Sequence, residues 1–315
     1  MDRTVLVAGE TLVDFLPGSE TPLAATEEFA RRPGGAPANV AVRLAQIGRP
    51  PWFWTRVGRD PFGDFLAETL ADRGVPDRFV ERDPSAKTSL AFVSGDPDSG
   101  PRFTFYRDGT ADTRLEPGRV PDAVLDAGEW VVVGSVALAS SPSREATREL
   151  VERASDRDCA VVFDLNARPE LWADDADYRA ELDRVLPMVD VVKASPEDLE
   201  PAGVTGDPTD LETVAPQLHE RGPHTVFLTL GGEGAAAAST ADAPWGAAAV
   251  THEGFTVDAV DTTGAGDAFT AGVVDALAGG ERDPVAVLRR GNAVAAASTT
   301  RYGGMSDLPD PDSAV

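Results

Sequence analysis

Short apolar runs alternate with amphipathic stretches along most of the chain. The amphipathic stretches carry apolar residues at helical spacing, as Val40, Leu44 and Ile47 show within 37–47. Repeated strand-then-helix order predicts an α/β fold with a mainly parallel central sheet and helices on both faces. The apolar runs predict strands at 5–9, 52–57, 130–133, 160–165, 189–193 and 225–230. The amphipathic stretches predict helices at 37–47, 61–71, 143–154, 176–186, 211–221 and 268–278.

Two segments depart from this order. Residues 88–94 and 102–107 alternate apolar and polar positions and are joined by the turn-rich stretch 95–100, which predicts a hairpin inserted between α/β units. Residues 11–16 also follow a β-like pattern and carry Asp14. No repeat, linker or low-complexity stretch marks a boundary, so we predict one domain over 1–315.

The glycine-rich stretch 261–272, Asp-Thr-Thr-Gly-Ala-Gly-Asp-Ala-Phe-Thr-Ala-Gly, lies between a predicted β-type segment (254–260) and an apolar helix. A strand, a Gly-x-Gly turn and a helix start place free backbone N–H groups and the positive end of the helix dipole around one point, which favours an anion. Asp267 stands where the helix begins. From local chemistry it is equally well a helix cap or a general base beside an oxyanion or phosphate site.

The charge balance limits the partners. The chain has 28 basic and 53 acidic residues, a net charge of −25, with 33 Asp and only two Lys, Lys87 and Lys193. This charge repels nucleic acid and anionic membranes, so neither is expected as a partner. Abundant Asp with almost no Lys resembles proteins of salt-in halophiles of the haloarchaeal type, and we expect the fold to need high salt.

Other side chains offer little independent chemistry. Cys159 lies in an apolar run and is expected to be a core residue, and the three histidines lack metal-ligand spacing, which argues against zinc. No signal peptide opens the chain and no apolar run approaches the length of a membrane span, so a cytoplasmic protein is expected.

A second glycine-rich element, residues 34–41 (Gly-Gly-Ala-Pro-Ala-Asn-Val-Ala), lies about 230 residues before the first. Together the two elements resemble the N-terminal and C-terminal signatures of the ribokinase-like (PfkB) family of sugar kinases, and the resemblance covers nearly the whole chain. It implies a three-layer α/β/α fold with a small β-sheet lid, formed by inserted strands at about 11–33 and 86–115. It also implies transfer of the γ-phosphoryl group of ATP to a sugar hydroxyl.

The resemblance assigns roles near the sugar. Asp267 becomes the general base, and the backbone N–H groups of Gly264, Ala265 and Gly266 neutralise charge on the transferred phosphoryl group. Residues 163–172 resemble the Asp-Pro-Asn-x-Arg segment of fructokinase-type members, with Leu165 in place of the proline. The implied sugar-binding residues are Asp14, Gly34, Gly35, Asn39, Phe105, Arg107 and Arg168. Phe103 is implied as a further residue of the lid.

The resemblance also implies a nucleotide side. In the segment 192–198 this chain has Ser195 and Asp198 where the family commonly has Asn and Glu, so Asp198 either reaches Mg²⁺ through water or only caps a helix. Asp261 and Thr263 are implied as ligands of a monovalent cation such as K⁺. The implied ATP-binding residues are Lys193, Ser195, Thr229, Gly231, Gly234, Gly264 and Asn292.

Alternatives remain at this point. The Gly-x-Gly-x-x-Ala at 232–237 matches a loose dinucleotide fingerprint but lacks a following helix, and neither lysine fits a P-loop. Within the family, residues 9–15, 35–39, 105–107 and 168–172 resemble the fructokinase branch, which implies fructose as the ketose substrate. The rivals are 2-keto-3-deoxygluconate kinase, another sugar or nucleoside kinase of the family, and a catalytically silent sugar sensor. A homodimer through the lid strands is expected by analogy.

Overall fold

The computed structural model describes residues 4–18, 22–96 and 100–313, and its largest element is a nine-stranded sheet. The strands follow the order β13-β12-β11-β10-β9-β8-β1-β4-β5, and all neighbours are parallel except β11–β12 and β12–β13. Its strands are β1 (Val5–Ala8), β4 (Trp52–Gly58), β5 (Val80–Asp83), β8 (Trp130–Gly134), β9 (Ala160–Asp164), β10 (Val191–Ala194), β11 (Thr225–Thr229), β12 (Ala235–Ser239) and β13 (Ala248–His252).

A separate small sheet contains the two departures from the strand–helix order and one further strand at 29–34. It has the order β3-β2-β6-β7, with β2 antiparallel to β3, parallel to β6, and β6 antiparallel to β7. Residues 19–21 of the first predicted lid segment and 97–99 of the predicted turn lie outside the described residues. The strands are β2 (Leu12–Pro17), β3 (Phe29–Gly34), β6 (Leu90–Asp96) and β7 (Gly100–Tyr106).

Helices cover both faces of the large sheet, because successive side chains of each strand point to opposite sides. Val161 and Phe163 of β9 pack into a core with α4, α5 and α7, whereas Val162 joins the core under α1, α8 and α9. The predicted three-layer α/β/α fold is therefore confirmed. The helices are α1 (Ala36–Gln46), α2 (Pro61–Asp72), α3 (Asp122–Asp126), α4 (Ser143–Ser155), α5 (Asp175–Val185), α6 (Pro196–Leu199), α7 (Leu211–His219), α8 (Ala265–Ala278) and α9 (Pro284–Thr299).

One predicted element is wrong. Residues 254–260 form no strand; the edge strand β13 ends at His252, opposite the first residue of β12, so the chain beyond it has no strand to pair with. It leaves the sheet and is held instead by bonds from the amides of Val260 and Asp261 to the carbonyl of Thr299. The following helix starts at Ala265, three residues earlier than predicted, which places Asp267 inside its first turn.

The strand order reverses around β1: the chain continues to β4 on one side and later returns to β8 on the other. Open α/β sheets bind ligands at the carboxyl ends of their strands beside such a reversal. The small sheet lies over this edge. Within the described part of the chain, no helix has the length and apolar character needed to cross a lipid bilayer.

Candidate active site

A cavity of about 420 Å³ lies between the small sheet and the carboxyl edge of the large sheet. Glu10 follows β1, Arg168 follows β9 and Ser195 follows β10, so three strands direct chemistry into the same space. The first turn of α8, residues 264–267, forms the wall opposite the small sheet. The cavity thus brings together the two glycine-rich elements that are far apart in the sequence.

One hydrogen bond joins these elements. The Asn39 Nδ2 group, in the first turn of α1, donates to Asp267 Oδ2 at 2.8 Å. Asn39 is 6% exposed, and its Oδ1 atom has no hydrogen-bond partner among the described atoms. A buried acceptor without a partner is costly, so this oxygen is available to a ligand hydroxyl.

The N-terminus of α8 is open to the cavity. Gly264 adopts a left-handed conformation (φ 76°), and no side chain among the described residues caps this helix. The Ala265 amide already donates to the Thr262 carbonyl at 3.1 Å, so it is less free than the sequence predicted. The amides of Gly264 and Gly266 have no acceptor among the described residues and lie at the positive end of the helix dipole, an arrangement that favours an anion.

Asp267 has the protonation chemistry of a base. Burial raises the pKa of its carboxyl, while the hydrogen bond from Asn39 and nearby positive charges act in the opposite direction without cancelling the rise. A carboxylate with a raised pKa accepts a proton more readily than an ordinary one. The positive charges belong to Lys193, Arg168 and Arg43.

Asp14 faces Asp267 from the small sheet. Its carboxylate lies directly over Gly34, where an added Cβ would be 2.0 Å from Asp14 Oδ2. Position 34 therefore has to be glycine if Asp14 is to keep this place. Burial raises the pKa of Asp14 to about 7; the charge of Arg168 lowers it and that of Asp267 raises it further.

The small sheet presents one face to the cavity. Asp14 pairs with Arg32 on one side and with Ala91 on the other, and Ala91 pairs with Phe105. Phe103 belongs to the same face two residues away, and its ring stacks on Phe105 with the centroids 5.8 Å apart. Asp14 and Phe105 therefore both line the cavity.

Arg107 is not at the cavity wall. Strand β7 ends at Tyr106, so Arg107 lies just beyond the strand that carries Phe105. Its side chain is 4% exposed, and its Nε group donates to the buried Asp112 at 2.6 Å. Its two Nη groups have no hydrogen-bond partner among the described atoms, and the expected sugar contact of Arg107 stays a prediction.

Lys193 supplies a buried positive charge at the mouth of α8. Its ammonium group is 3.2 Å from Asp164 Oδ1, and a Cβ added at Gly266 would lie 3.1 Å from Lys193 Nζ. Burial alone lowers the pKa of Lys193, but the carboxylates of Asp164, Asp198 and Asp267 outweigh burial and raise it. Lys193 therefore stays charged beside the open helix end.

Asp198 is a helix cap. It closes a capping box with Ser195, since its Oδ2 accepts from the Ser195 amide at 2.8 Å and from the Ser195 hydroxyl at 2.6 Å. Its Oδ1 accepts from the Ala167 amide at 2.7 Å. Because both carboxylate oxygens accept hydrogen bonds from the protein, the geometry of Asp198 is that of a helix cap. Glu197 is the exposed carboxylate beside it on the cavity lining.

Asp261 and Thr263, the residues expected to bind a monovalent cation, also make hydrogen bonds within the protein. Asp261 Oδ1 accepts from the Thr263 amide at 2.9 Å and Oδ2 from the Gly303 amide at 2.8 Å, which ties the α8 turn to the segment after α9. Among residues 4–18, 22–96 and 100–313, no group of three or more His, Cys, Asp or Glu side chains is placed to hold a metal ion.

The other predicted nucleotide-binding residues do not line the cavity but contact neighbouring segments of the chain. The Thr229 hydroxyl donates to the Ala194 carbonyl at 3.3 Å, next to Lys193. Gly234 packs against the backbone of 252–254, and the Asn292 amide group is 3.1 Å from His252 Nδ1. Gly231 precedes Gly234 in the same turn.

Three residues of the site were not predicted from the sequence. Asp164 holds Lys193, Glu10 accepts from the Ala36 amide at 3.2 Å, and Gly304 packs against the Asn39 amide, where a Cβ would come within 2.7 Å. Glu10 directly follows the predicted strand 5–9 and Asp164 lies at the carboxyl end of β9, one residue before the predicted end of that strand, and these positions could have revealed them. Gly304 carries no such signal, because only the folded chain brings it to Asn39.

Comparisons with known proteins agree with this geometry. The model of the pfkB family of carbohydrate kinases matches residues 2–311. The fructokinase of Klebsiella pneumoniae is 37% identical over 318 residues, covering 99% of this chain and 98% of that protein.

Two solved structures are similar over nearly their whole length. Fructokinase with bound ATP from Xylella fastidiosa has a TM-score of 0.82 and 30% identity, covering 98% of this chain and 96% of that one. A fructokinase double mutant from Vibrio cholerae O395, with fructose, ADP and potassium bound, has a TM-score of 0.80, 31% identity and the same coverage. This chain therefore belongs to the pfkB family of carbohydrate kinases and is an ATP-dependent sugar kinase.

Proposed function

We propose that this kinase phosphorylates fructose, with Asp267 as the general base. The observation that carries the proposal is the bond between Asn39 and Asp267, because it places a carboxylate of raised pKa beside an unused buried acceptor in a sugar-sized cavity. The fructokinases among the relatives support fructose as the acceptor.

The sugar end of the cavity is built for vicinal hydroxyls. Asp14 accepts up to two hydroxyl hydrogen bonds, Asn39 Oδ1 accepts one, and Gly34 lets the sugar approach the backbone without a Cβ in the way. Arg168 contributes a guanidinium group from the opposite wall, and Phe105 covers the apolar face of the sugar. Asp267 then removes the proton of the hydroxyl held beside it.

The phosphoryl end is built for negative charge. The amides of Gly264 and Gly266 and the ammonium of Lys193 surround one point, where they stabilise the charge spread over the transferred phosphoryl group. We assign the rest of the nucleotide to three parts of the chain. These are the turn with Ser195, the loop with Thr229, Gly231 and Gly234, and Asn292.

Two cations accompany this proposal. Mg²⁺ prefers one or two carboxylates with substrate phosphates and water, and Glu197, the exposed carboxylate on the cavity lining, would hold it through water on the nucleotide side. When bound, it neutralises part of the phosphate charge. Asp261 and Thr263 are assigned to a K⁺ site in the turn before α8, as potassium in the Vibrio cholerae fructokinase structure suggests.

The small sheet is assigned the role of a lid within a single domain over 1–315. Its cavity face would exclude water during transfer. Its outer face carries Phe15, Phe29, Phe92 and Tyr106 in mutual contact, and Tyr106 is 62% exposed. Such a face is suited to pairing with a second copy of the chain. Sedimentation of the wild type and of Tyr106→Glu tests this dimer: the wild type should sediment as a dimer and the variant as a monomer.

The test of the function is a panel of acceptors with ATP, followed by ADP release: fructose, 2-keto-3-deoxygluconate, ribose and nucleosides. We expect the highest kcat/KM for fructose. Preference for the keto acid would instead assign Arg168 to a carboxylate, since a guanidinium binds that group through two bonds. Fructose binding without ADP release with any acceptor would indicate a sugar sensor.

We infer from the acidic composition that the protein works in a high-salt environment. With a net charge of −25, self-repulsion is screened only at high ionic strength. Dialysis to low salt should unfold or inactivate the protein, which circular dichroism and ADP release would show. Full activity at millimolar salt would contradict this assignment.

A further inference from the structure

The small sheet touches the opposite wall of the cavity at one aromatic side chain. The Arg168 guanidinium carbon lies 5.4 Å from the centroid of the Phe103 ring, the distance of a cation–π contact. Phe103 comes from β7, whereas Arg168 follows β9 of the large sheet. The contact therefore joins the part of the molecule that covers the sugar to the part that holds the catalytic groups.

Phe103 is itself held in place. Its ring lies parallel to that of Phe105, with an angle of 15° between the planes, and Val93 on the neighbouring strand pairs with it and lines the same cavity. On the other wall, the backbone next to Arg168 is held at Ala167. Asp198 holds the Ala167 amide, and the Arg168 Nη1 group donates to the Ala167 carbonyl at 2.9 Å.

Arg168 acts on both acids of the sugar site. Its charge lowers the pKa of Asp14 and also that of Asp267, so it keeps both carboxyls closer to the ionised form. Among the described residues, the hydrogen bond of its guanidinium group goes to the neighbouring Ala167 carbonyl. The Phe103 ring is therefore the tertiary contact available to orient this group.

We propose that Phe103 is a positioning residue, whose ring holds the Arg168 guanidinium where it acts on Asp14 and Asp267 when the small sheet covers the cavity. This inference rests on the proposed function, since it gives the small sheet a part in organising the acids as well as in excluding water. Movement of the small sheet away from the cavity removes the ring and leaves the guanidinium without that support.

A double-mutant cycle tests the inference. The variants are Phe103→Leu, which keeps the volume and loses the aromatic face, Arg168→Met, and both together, assayed by kcat/KM for the best acceptor of the panel. We expect Phe103→Leu to lower kcat/KM about 5- to 30-fold in the wild-type background and to have almost no effect in the Arg168→Met background. An equal loss in both backgrounds would overturn the inference and make Phe103 a direct sugar contact.

Three further measurements separate positioning from structure. Phe103→Tyr keeps an aromatic face and should restore most of the activity. Phe103→Leu should move the acid limb of kcat/KM to higher pH, because the acids lose the charge that lowers their pKa. Phe92→Leu, on the outer face of the same sheet, should leave kcat/KM unchanged; an equal loss there would overturn the inference in favour of general weakening of the sheet.

The cycle also distinguishes this inference from the proposed function. If the wild type releases no ADP with any acceptor, the proposed function fails before a variant is made. If the wild type is active and the two substitutions are additive, only the role of Phe103 fails.

Discussion

The two helices that open onto the cavity, α1 and α8, begin in the same way and end up with different roles. Each starts after a glycine of positive φ, Gly35 at 103° and Gly264 at 76°. At α1 the Ala36 amide is taken by the Glu10 carboxylate at 3.2 Å. At α8 the Ala265 amide donates to the Thr262 carbonyl at 3.1 Å, but no described side chain accepts from the first turn, and the Gly266 amide is left open. A helix start satisfied within the fold is structural, and one left open is available to a phosphoryl group.

The largest effect is expected from Asp267→Asn, which removes the base at the open helix and keeps the hydrogen bond to Asn39. Turnover should fall by at least about two orders of magnitude, while sugar and ATP binding are retained. Stopped-flow ADP release and calorimetric titration with each ligand measure the two quantities. Turnover near the wild-type value would remove Asp267 from the catalytic role.

At the closed helix start, Gly35→Ala should affect stability instead. An added Cβ would lie 2.6 Å from the Glu10 carbonyl oxygen in a backbone conformation that alanine rarely adopts. We expect a loss of about 3 kcal/mol in the free energy of unfolding, measured by urea denaturation in high salt. Gly48→Ala is the matched control: its φ is 88° with no neighbour within 4 Å, so only the conformational cost of about 1 kcal/mol should appear.

Glu10→Gln tests the carboxylate that closes α1. Burial raises the pKa of Glu10 from 4.5 to about 7, and the charge of Arg107 and the Ala36 amide counteract this only in part. Because the folded pKa is above the unfolded one, the stability linked to this group is present at low pH and lost as the pH rises through about 7.

The difference in unfolding free energy between Glu10→Gln and the wild type should therefore grow from pH 5.5 to 8.5, by at most about 2 kcal/mol. The wild type is the control at each pH, since Asp14 and Asp164 titrate in both proteins. A difference that does not change with pH would show that Glu10 is already ionised, or already neutral, across this range.

The smallest effect is expected from Gly266→Ala at the open helix start. The methyl group would lie 3.1 Å from Lys193 Nζ, the end of a flexible side chain, so the helix forms and the ammonium moves. We expect turnover to fall about 10-fold while the melting temperature is unchanged or higher, because alanine favours a helix. Gly18→Ala adds a methyl group into open space and should change neither quantity. If stability and turnover fell together, the glycine would be needed for the structure of this turn rather than for its interaction with the charge of Lys193.

Much of this molecule could be predicted from local pattern. Alternation and helical spacing gave the central strands and helices, because burial on a sheet or a helix face repeats every two or about 3.6 residues. The pattern failed at 254–260, which lacks a pairing strand, and it could not show that Arg107, beyond the end of β7, donates to Asp112. Both depend on partners that the local sequence does not contain.

The sequence by itself determined the two glycine-rich turns and the identity of Asn39 and Asp267, because positive φ and helix starts are properties of a few adjacent residues. Only the tertiary structure decided that these two side chains meet at 2.8 Å across 228 positions. The same holds for Glu10 closing one helix start while the other stays open. Such pairings follow from the order of strands in the sheet, which sets the carboxyl ends of distant segments side by side.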